Sequence, residues 1–444
     1  MNNEERTRQF NKIAVEYSRY YKGKIRNYPN VPINSIQDFS YWYTPGVAEV
    51  SRVINKDPDQ SFELTGRWNS IGIITDGTRV LGLGNIGPEA AMPVMEGKAM
   101  LFNLFGGVNA IPLPIRVSSG DDFIKVALAL EPSFGGYNLE DIESPKCFYV
   151  LKELQEKLNI PAWHDDQLGT ACIILAGLIN SLKIVGKKIP DAIVSLIGSG
   201  AANIAAANLM IEAGFKAENI IMVDSKGILE PEREDIDKLM ISNPWKYDLA
   251  LKTNGERRKG DIEESMEGAD LVVSAARSQP GLIKEEWVRR MNKDPAIFAL
   301  ANPLPEIWPD DAKRAGAKIV ATGRSDFPNQ INNSLVFPGI FRGVLDARSR
   351  GVNFRIMVKA AYEIADYVKN PESDHIVPTM GDWGLYPRVA SSVARATVEE
   401  NLARKNNSKE GFYKIASEII KTNRENFEKL MELKIVKELP EVEE

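Results

Sequence analysis

A chain of 444 residues exceeds what one hydrophobic core serves, and 43% hydrophobic with 26% charged residues describes a globular protein, neither disordered nor fibrous. A net charge of −6, with no basic block beyond Arg257-Arg258-Lys259, excludes nucleic acid as an expected partner. Cys147 and Cys172 are too few for a disulfide framework and fit a reducing cytoplasm. The N-terminus MNNEERTRQF lacks the apolar core of a secretory signal, and the longest apolar stretch, Ala171 to Ile179, falls short of the roughly 18 residues of a membrane span.

In chain order, SIGIITDGTRVLGLGNIG from Ser70 predicts short strands broken at Asp76-Gly77, a turn pair that favours a hairpin. Pro93 to Lys98 then opens an apolar helix through Phe105, which puts Lys98 near a helix start. Val108 to Val117 reads as a strand, Asp121 to Leu130 as a helix, and Gln167 to Leu182 as a long helix of small and apolar residues. Strands predicted at Ile193–Ile197, Ile220–Val223, Leu271–Ser274, Ile297–Leu300 and Lys318–Ala321 alternate with helices, the signature of a doubly wound parallel sheet. Beyond Gly351 come helices over Phe354–Val368, Pro387–Lys405 and Lys409–Leu433. Phe412, Ile415, Ile419 and Ile420 give the last of these an apolar stripe for the body or for a partner subunit. The expected fold is α/β with two domains: an N-terminal α/β catalytic domain over 1–165, a Rossmann-type domain over 166–351, and C-terminal helices over 352–444.

The run IPAWHDDQLGT at Ile160–Thr170, with GGYNLEDIESP upstream, supplies the carboxylates Glu140, Asp141 and Asp166. Oxygen ligands of this kind suit a hard cation such as Mg²⁺ or Mn²⁺ rather than zinc. Two glycine fingerprints compete for a dinucleotide. Gly82–Gly87 matches GxGxxG in full but has no following acid, and it reads as tight-turn glycines near a small anionic substrate or as plain loop structure. Gly198-Ser199-Gly200-Ala201-Ala202-Asn203 lacks the third glycine, yet it joins a buried-strand run to a helix whose free N–H groups suit a pyrophosphate. The next strand ends in Asp224, placed for the adenosine ribose hydroxyls, while Ser225-Lys226 suits a 2′-phosphate. NAD and NADP both remain open.

YTPGVAEV at Tyr43–Val50, TDGTRVLGLGNIGPEAAMPVMEGKAMLF at Thr75–Phe102, EPSFGGYNLEDI at Glu131–Ile142, HDDQLGT at His164–Thr170, ALANPLPEI at Ala299–Ile307 and ATGRSDFPNQINNSLVFPGIFRG at Ala321–Gly343 stand in one order. Together they resemble the malic enzyme family, in its short bacterial and archaeal form. The resemblance implies oxidative decarboxylation of L-malate to pyruvate and CO₂, through oxaloacetate, with NAD or NADP and Mg²⁺ or Mn²⁺, in a homodimer. It implies Lys98 as general base with a lowered pKa, Asp165 orienting it, and Tyr43 as the acid that protonates C3. Arg79 offers a fork for a substrate carboxylate, Asn302 an amide for substrate or nicotinamide ribose, and Asn332 or Asn333 a further amide. The competing readings are an amino-acid dehydrogenase and a non-catalytic cofactor-sensing protein of the same fold.

Overall fold

The structure, a computed structural model, describes residues 3–440 apart from Arg26 and Leu81. Four strands, β1 (Ser70–Thr75), β2 (Asn109–Pro114), β3 (Gly136–Leu139) and β4 (Ala162–His164), form one parallel sheet in the order β2-β1-β3-β4. The hairpin expected at Asp76-Gly77 does not form. Ile71, Ile73 and Ile74 are all fully buried, so β1 needs cover on both faces and takes a central place in a parallel sheet. The glycines turn the following loop back on itself: Gly77, at φ +69°, accepts the N–H groups of Ile86 and Gly87 on its carbonyl, and Val80 bridges Gly84. The perfect fingerprint is therefore loop architecture, with Gly84 and Gly87 both at positive φ.

Gly87 leads into a helix over Pro88–Gly106, which ends in the left-handed residue Gly107. The helix accommodates Pro93 internally instead of starting there, so Lys98 lies in its middle and not near its start.

The second sheet has the order β10-β9-β8-β5-β6-β7, from β5 (Val194–Ile197), β6 (Ile220–Asp224), β7 (Gly227–Ile228), β8 (Leu271–Ser274), β9 (Ala296–Ala299) and β10 (Ile319–Thr322). All pairings are parallel except β6 with β7. The five longer strands fall on the apolar runs of the sequence, because each is buried along its length and reads as a continuous hydrophobic segment. The order in which strands are added reverses between β5 and β8, which opens a crevice at their carboxyl ends.

A helical run over Asp165–Val185 links the two sheets. It begins as a π turn, two residues before the predicted start, and continues as an α-helix over Thr170–Val185. This run is 21 residues long with mean hydropathy 1.9, enough by length and composition to cross a membrane, which corrects the estimate from Ala171–Ile179 alone; 78% of its most apolar window is buried inside the fold. One apolar core extends along it from Ile71 in the first sheet to Leu196 in the second. The last helix, Lys409–Glu432, packs Phe412, Ala416 and Ile420 into the body and sets Ile419 against Gly107, while Ile415 faces outward.

Candidate active site

Three neighbouring parallel strands, β1, β3 and β4, end side by side, and each runs directly into acidic residues: Asp76, Glu140-Asp141 and Asp165-Asp166. The crevice outside the carboxyl ends of parallel strands is the standard place for a site in an open α/β sheet. Lys98 enters it from the helix beneath. Its Nζ donates to Asp165 Oδ2 in a short contact, lies 2.9 Å from Glu140 Oε1, and sits 4.5 Å from the centre of the Phe337 ring.

Asp165 is fully buried, and its Oδ1 accepts the Trp163 indole N–H at 3.1 Å. Glu140 Oε2 accepts the Asn138 side-chain amide at 2.8 Å. Neither Trp163 nor Asn138 stands out in the sequence as functional. The available signal is strand alternation, since each sits two residues before the acid it orients and so shares its face. Asp141 adopts φ +55°, a strained conformation for a residue with a side chain; its N–H donates to Asp166 Oδ2 at 3.0 Å, and its carbonyl accepts the Arg79 N–H.

One carboxylate oxygen from each of Glu140, Asp141 and Asp166 lies within 4.8 Å of the others. The trio is all oxygen, largely buried, and joined by Asp165 beside the cation Lys98. That excess of negative charge in a partly dry place fits a hard dication. His164 is fully buried and keeps 3.9 Å between its Nδ1 and Asp166; burial lowers its pKa and keeps it neutral, outside the trio.

The pKa of Lys98 moves opposite to expectation. Burial alone pulls it down, but Asp165, Glu140 and Asp166, together with the hydrogen bond to Asp165, outweigh burial and raise it. Glu140 and Asp165 are raised as well, chiefly by burial and against the pull of Lys98. The lysine is thus half of a tightly bound ion pair, not an isolated amine of low basicity.

Gly169, absent from the sequence-based set, is required by this pair. A Cβ there would overlap Asp165 Oδ1 and come within 3.2 Å of Asn333 Cβ. That contact puts Asn333 beside the site, whereas Asn332 spends its side-chain oxygen on the Ser334 N–H. Arg79 is exposed, and among the described residues its guanidinium forms no ion pair. Asn302 is exposed on the loop after β9, with its carbonyl 3.6 Å from where a Gly82 Cβ would stand, so loops of the two sheets meet there. Tyr43 is 70% exposed between the helices Phe39–Trp42 and Val47–Lys56, and its hydroxyl makes no hydrogen bond among the described residues.

At the second crevice β5 feeds Gly198, which has φ +92° and is packed so that a Cβ would meet the Ala275 carbonyl at 2.9 Å. Gly200 has open space where a Cβ would be, and no side chain caps the helix Ala201–Glu212 that follows. Open backbone at a helix N-terminus fits a pyrophosphate, with Ser199, Ala201 and Ala202 around it. Asn203 does not loosen the turn as its size suggests. It is fully buried and donates to the carbonyls of Ile197 at 2.9 Å and Gly198 at 2.8 Å, tying strand to helix. Asp224 stands at the end of β6, but cations already hold it: Arg233 Nη1 at 3.2 Å and Lys246 in a short ion pair, with the Lys226 N–H at 2.8 Å.

Comparison with known proteins gives one consistent answer. The family "Malic enzyme, N-terminal domain" matches residues 22–155, and "Malic enzyme, NAD binding domain" matches residues 168–400. An NAD-dependent malic enzyme of Geobacillus stearothermophilus is 44% identical over 88% of this chain and 80% of its own length. An NADP-dependent malic enzyme of Halomonas elongata is 40% identical over 88% of this chain and 94% of its own. The crystal structure of Entamoeba histolytica malic enzyme superposes with TM-score 0.94 at 38% identity, covering 98% of this chain and 91% of that one.

Proposed function

From its membership of the malic enzyme family, which the matches to both domains establish, we propose that this chain converts L-malate to pyruvate and CO₂ with reduction of NAD or NADP, and that it needs Mg²⁺ or Mn²⁺. The observation that carries the reading is a single cluster: Lys98 held between Asp165 and Glu140, beside three carboxylate oxygens within 4.8 Å of one another. Neither an amino-acid dehydrogenase nor a cofactor sensor has use for that carboxylate trio.

The dication would be held by Glu140, Asp141 and Asp166, and the dinucleotide by the Gly198–Asn203 turn. The chemistry these groups supply when bound is Lewis-acid stabilisation of charge at the substrate C2 oxygen and two-electron oxidising power. Lys98 and Asp165 act as one proton-accepting unit. Nζ takes the proton of the C2 hydroxyl as Asp165, its buried hydrogen-bond partner, takes one from Nζ. Trp163 and Asn138 hold the two acids in register for this exchange. Exclusion of water by Phe337 beneath Lys98 strengthens each of these contacts. Arg79 and Asn333 are assigned to the substrate carboxylates and Asn302 to the nicotinamide side. Tyr43 is assigned the return of a proton to C3 once CO₂ has left.

The working assembly is a homodimer, and the chain divides functionally into 1–165 for malate and metal, 166–351 for the dinucleotide and 352–444 for packing. The deciding experiment is L-malate oxidation with NAD and NADP side by side, with and without Mn²⁺. Pyruvate should appear with at least one dinucleotide, vanish with chelator and return with Mn²⁺. Oxidation of malate that survives full chelation removes the metal from the proposal.

A further inference from the structure

Asp141 is held in its left-handed conformation by the loop beside it. Four ties join the segment 74–79, leaving β1, to the segment 140–146, leaving β3. The Glu140 N–H donates to the Ile74 carbonyl at 3.0 Å, the Arg79 N–H to the Asp141 carbonyl at 3.0 Å and the Glu143 N–H to Thr78 Oγ1 at 3.0 Å, while Lys146 Nζ lies 2.8 Å from Asp76 Oδ2. Thr78 is the knot. Its hydroxyl donates to Asp76 Oδ1 at 2.6 Å and accepts the Glu143 N–H, and Lys146, which grips the other oxygen of Asp76, also reaches Glu143 Oε1 at 3.1 Å. Asp76 is buried, so its charge needs these partners.

A residue with a side chain keeps φ +55° only where its surroundings over-determine it. For Asp141 the bond from its N–H to Asp166 fixes one flank, and the adjacent ties 79–141 and 78–143 fix the other. The same two ties seat Arg79, whose main chain is thereby bonded directly to a member of the carboxylate trio. Asp76, Thr78 and Lys146 stand outside that trio, whose oxygens come from Glu140, Asp141 and Asp166. We propose that Thr78, braced by Asp76 and Lys146, is a positioning residue: it sets the Asp141 carboxylate for the dication and the Arg79 fork for a substrate carboxylate. The inference rests on the reading of the trio as metal ligands and of Arg79 as a substrate contact.

Mn²⁺ affinity of the full chain, titrated without malate or dinucleotide, reads this role directly. Thr78→Val keeps the shape but strips the hydroxyl and orphans the Glu143 N–H. It should weaken Mn²⁺ binding about tenfold, the usual effect of losing a group that supports a metal ligand, and raise KM for malate while KM for the dinucleotide holds. Thr78→Ser restores the hydroxyl and should bind Mn²⁺ within about twofold of the unmodified chain. Lys146→Met, which releases Asp76 from the far side, should weaken Mn²⁺ in the same direction and by less. In an Asp141→Asn background Thr78→Val should add little further loss, because it acts through that side chain. Denaturant unfolding run beside each titration separates position from stability. A lower unfolding midpoint with Mn²⁺ affinity unchanged makes Thr78 structural only and overturns the proposal, as does an undiminished loss in the Asp141→Asn background. If Thr78→Val unfolds, Lys146→Met decides, and unchanged affinity there overturns it too. Absence of Mn²⁺ binding in the unmodified chain would sink the metal reading itself; binding that is present but indifferent to Thr78→Val sinks this role alone.

Discussion

Lys98 is one cation among four carboxylates, Glu140, Asp141, Asp165 and Asp166, and most of the chemistry depends on which of them it touches. Lys98→Ala removes the amine and leaves Glu140 and Asp165 buried without their cation. Malate oxidation should fall by about 10² to 10⁴, the usual worth of a general base. Binding of the dinucleotide at the distant turn should persist, and its loss would mean the substitution had unfolded the chain. Asp166→Asn keeps the volume but weakens one corner of the trio, so Mn²⁺ affinity measured by titration should drop at least about tenfold while the fold is retained. The trio was legible in sequence because strand ends followed by paired acids leave a plain mark. The ion pair was only half legible: Lys98 and Asp165 stand 67 positions apart, and nothing in their neighbours gives the direction of the pKa shift, which depends on how many carboxylates the fold gathers around one amine.

At the scale of elements the critical piece is the π turn Asp165–Gly169, which widens the start of a long helix and turns two successive acids to different tasks. Asp165 goes to Lys98, and Asp166 to the carboxylate trio. Gly169→Ala is compatible with the local backbone, at φ −66°, so its effect is steric and falls on Asp165 Oδ1. Displacement of a catalytic group by about an ångström costs on the order of 10²-fold in rate. The variant should therefore lose kcat while circular dichroism and dinucleotide binding are retained; full activity would show that the turn has slack. Asn203→Ala acts on the other sheet, stripping the amide from two turn carbonyls, and should cost about 1–3 kcal/mol in denaturant unfolding. The longer strands of the second sheet are visible as apolar runs. β3 and β4, four and three residues long and carrying Asn138, Trp163 and His164, have no such run and become strands because β3 pairs with β1 and β4 with β3.

At the scale of the whole molecule, the helix Val47–Lys56 presents a face that the described chain leaves uncovered. In the helix Val47–Lys56 no residue is buried, yet Val47, Val50 and Val53 recur at helical spacing as an apolar stripe. Ile36, at 89% exposed, and Trp42, at 48%, are further exposed apolar side chains in the segment that leads into this helix. A stripe of this kind on a folded chain marks a contact surface, and a two-fold pair would bury it against its own copy. This is the expected seat of the proposed homodimer. Light scattering should give twice the chain mass for the native protein, and replacing Ile36 and Trp42 together by aspartate should halve it with secondary structure intact. Both side chains are exposed in the isolated chain, so the substitutions carry little folding cost of their own. A native mass of one chain, or a double variant that stays paired, would remove this face from the assembly and require another cover for the stripe.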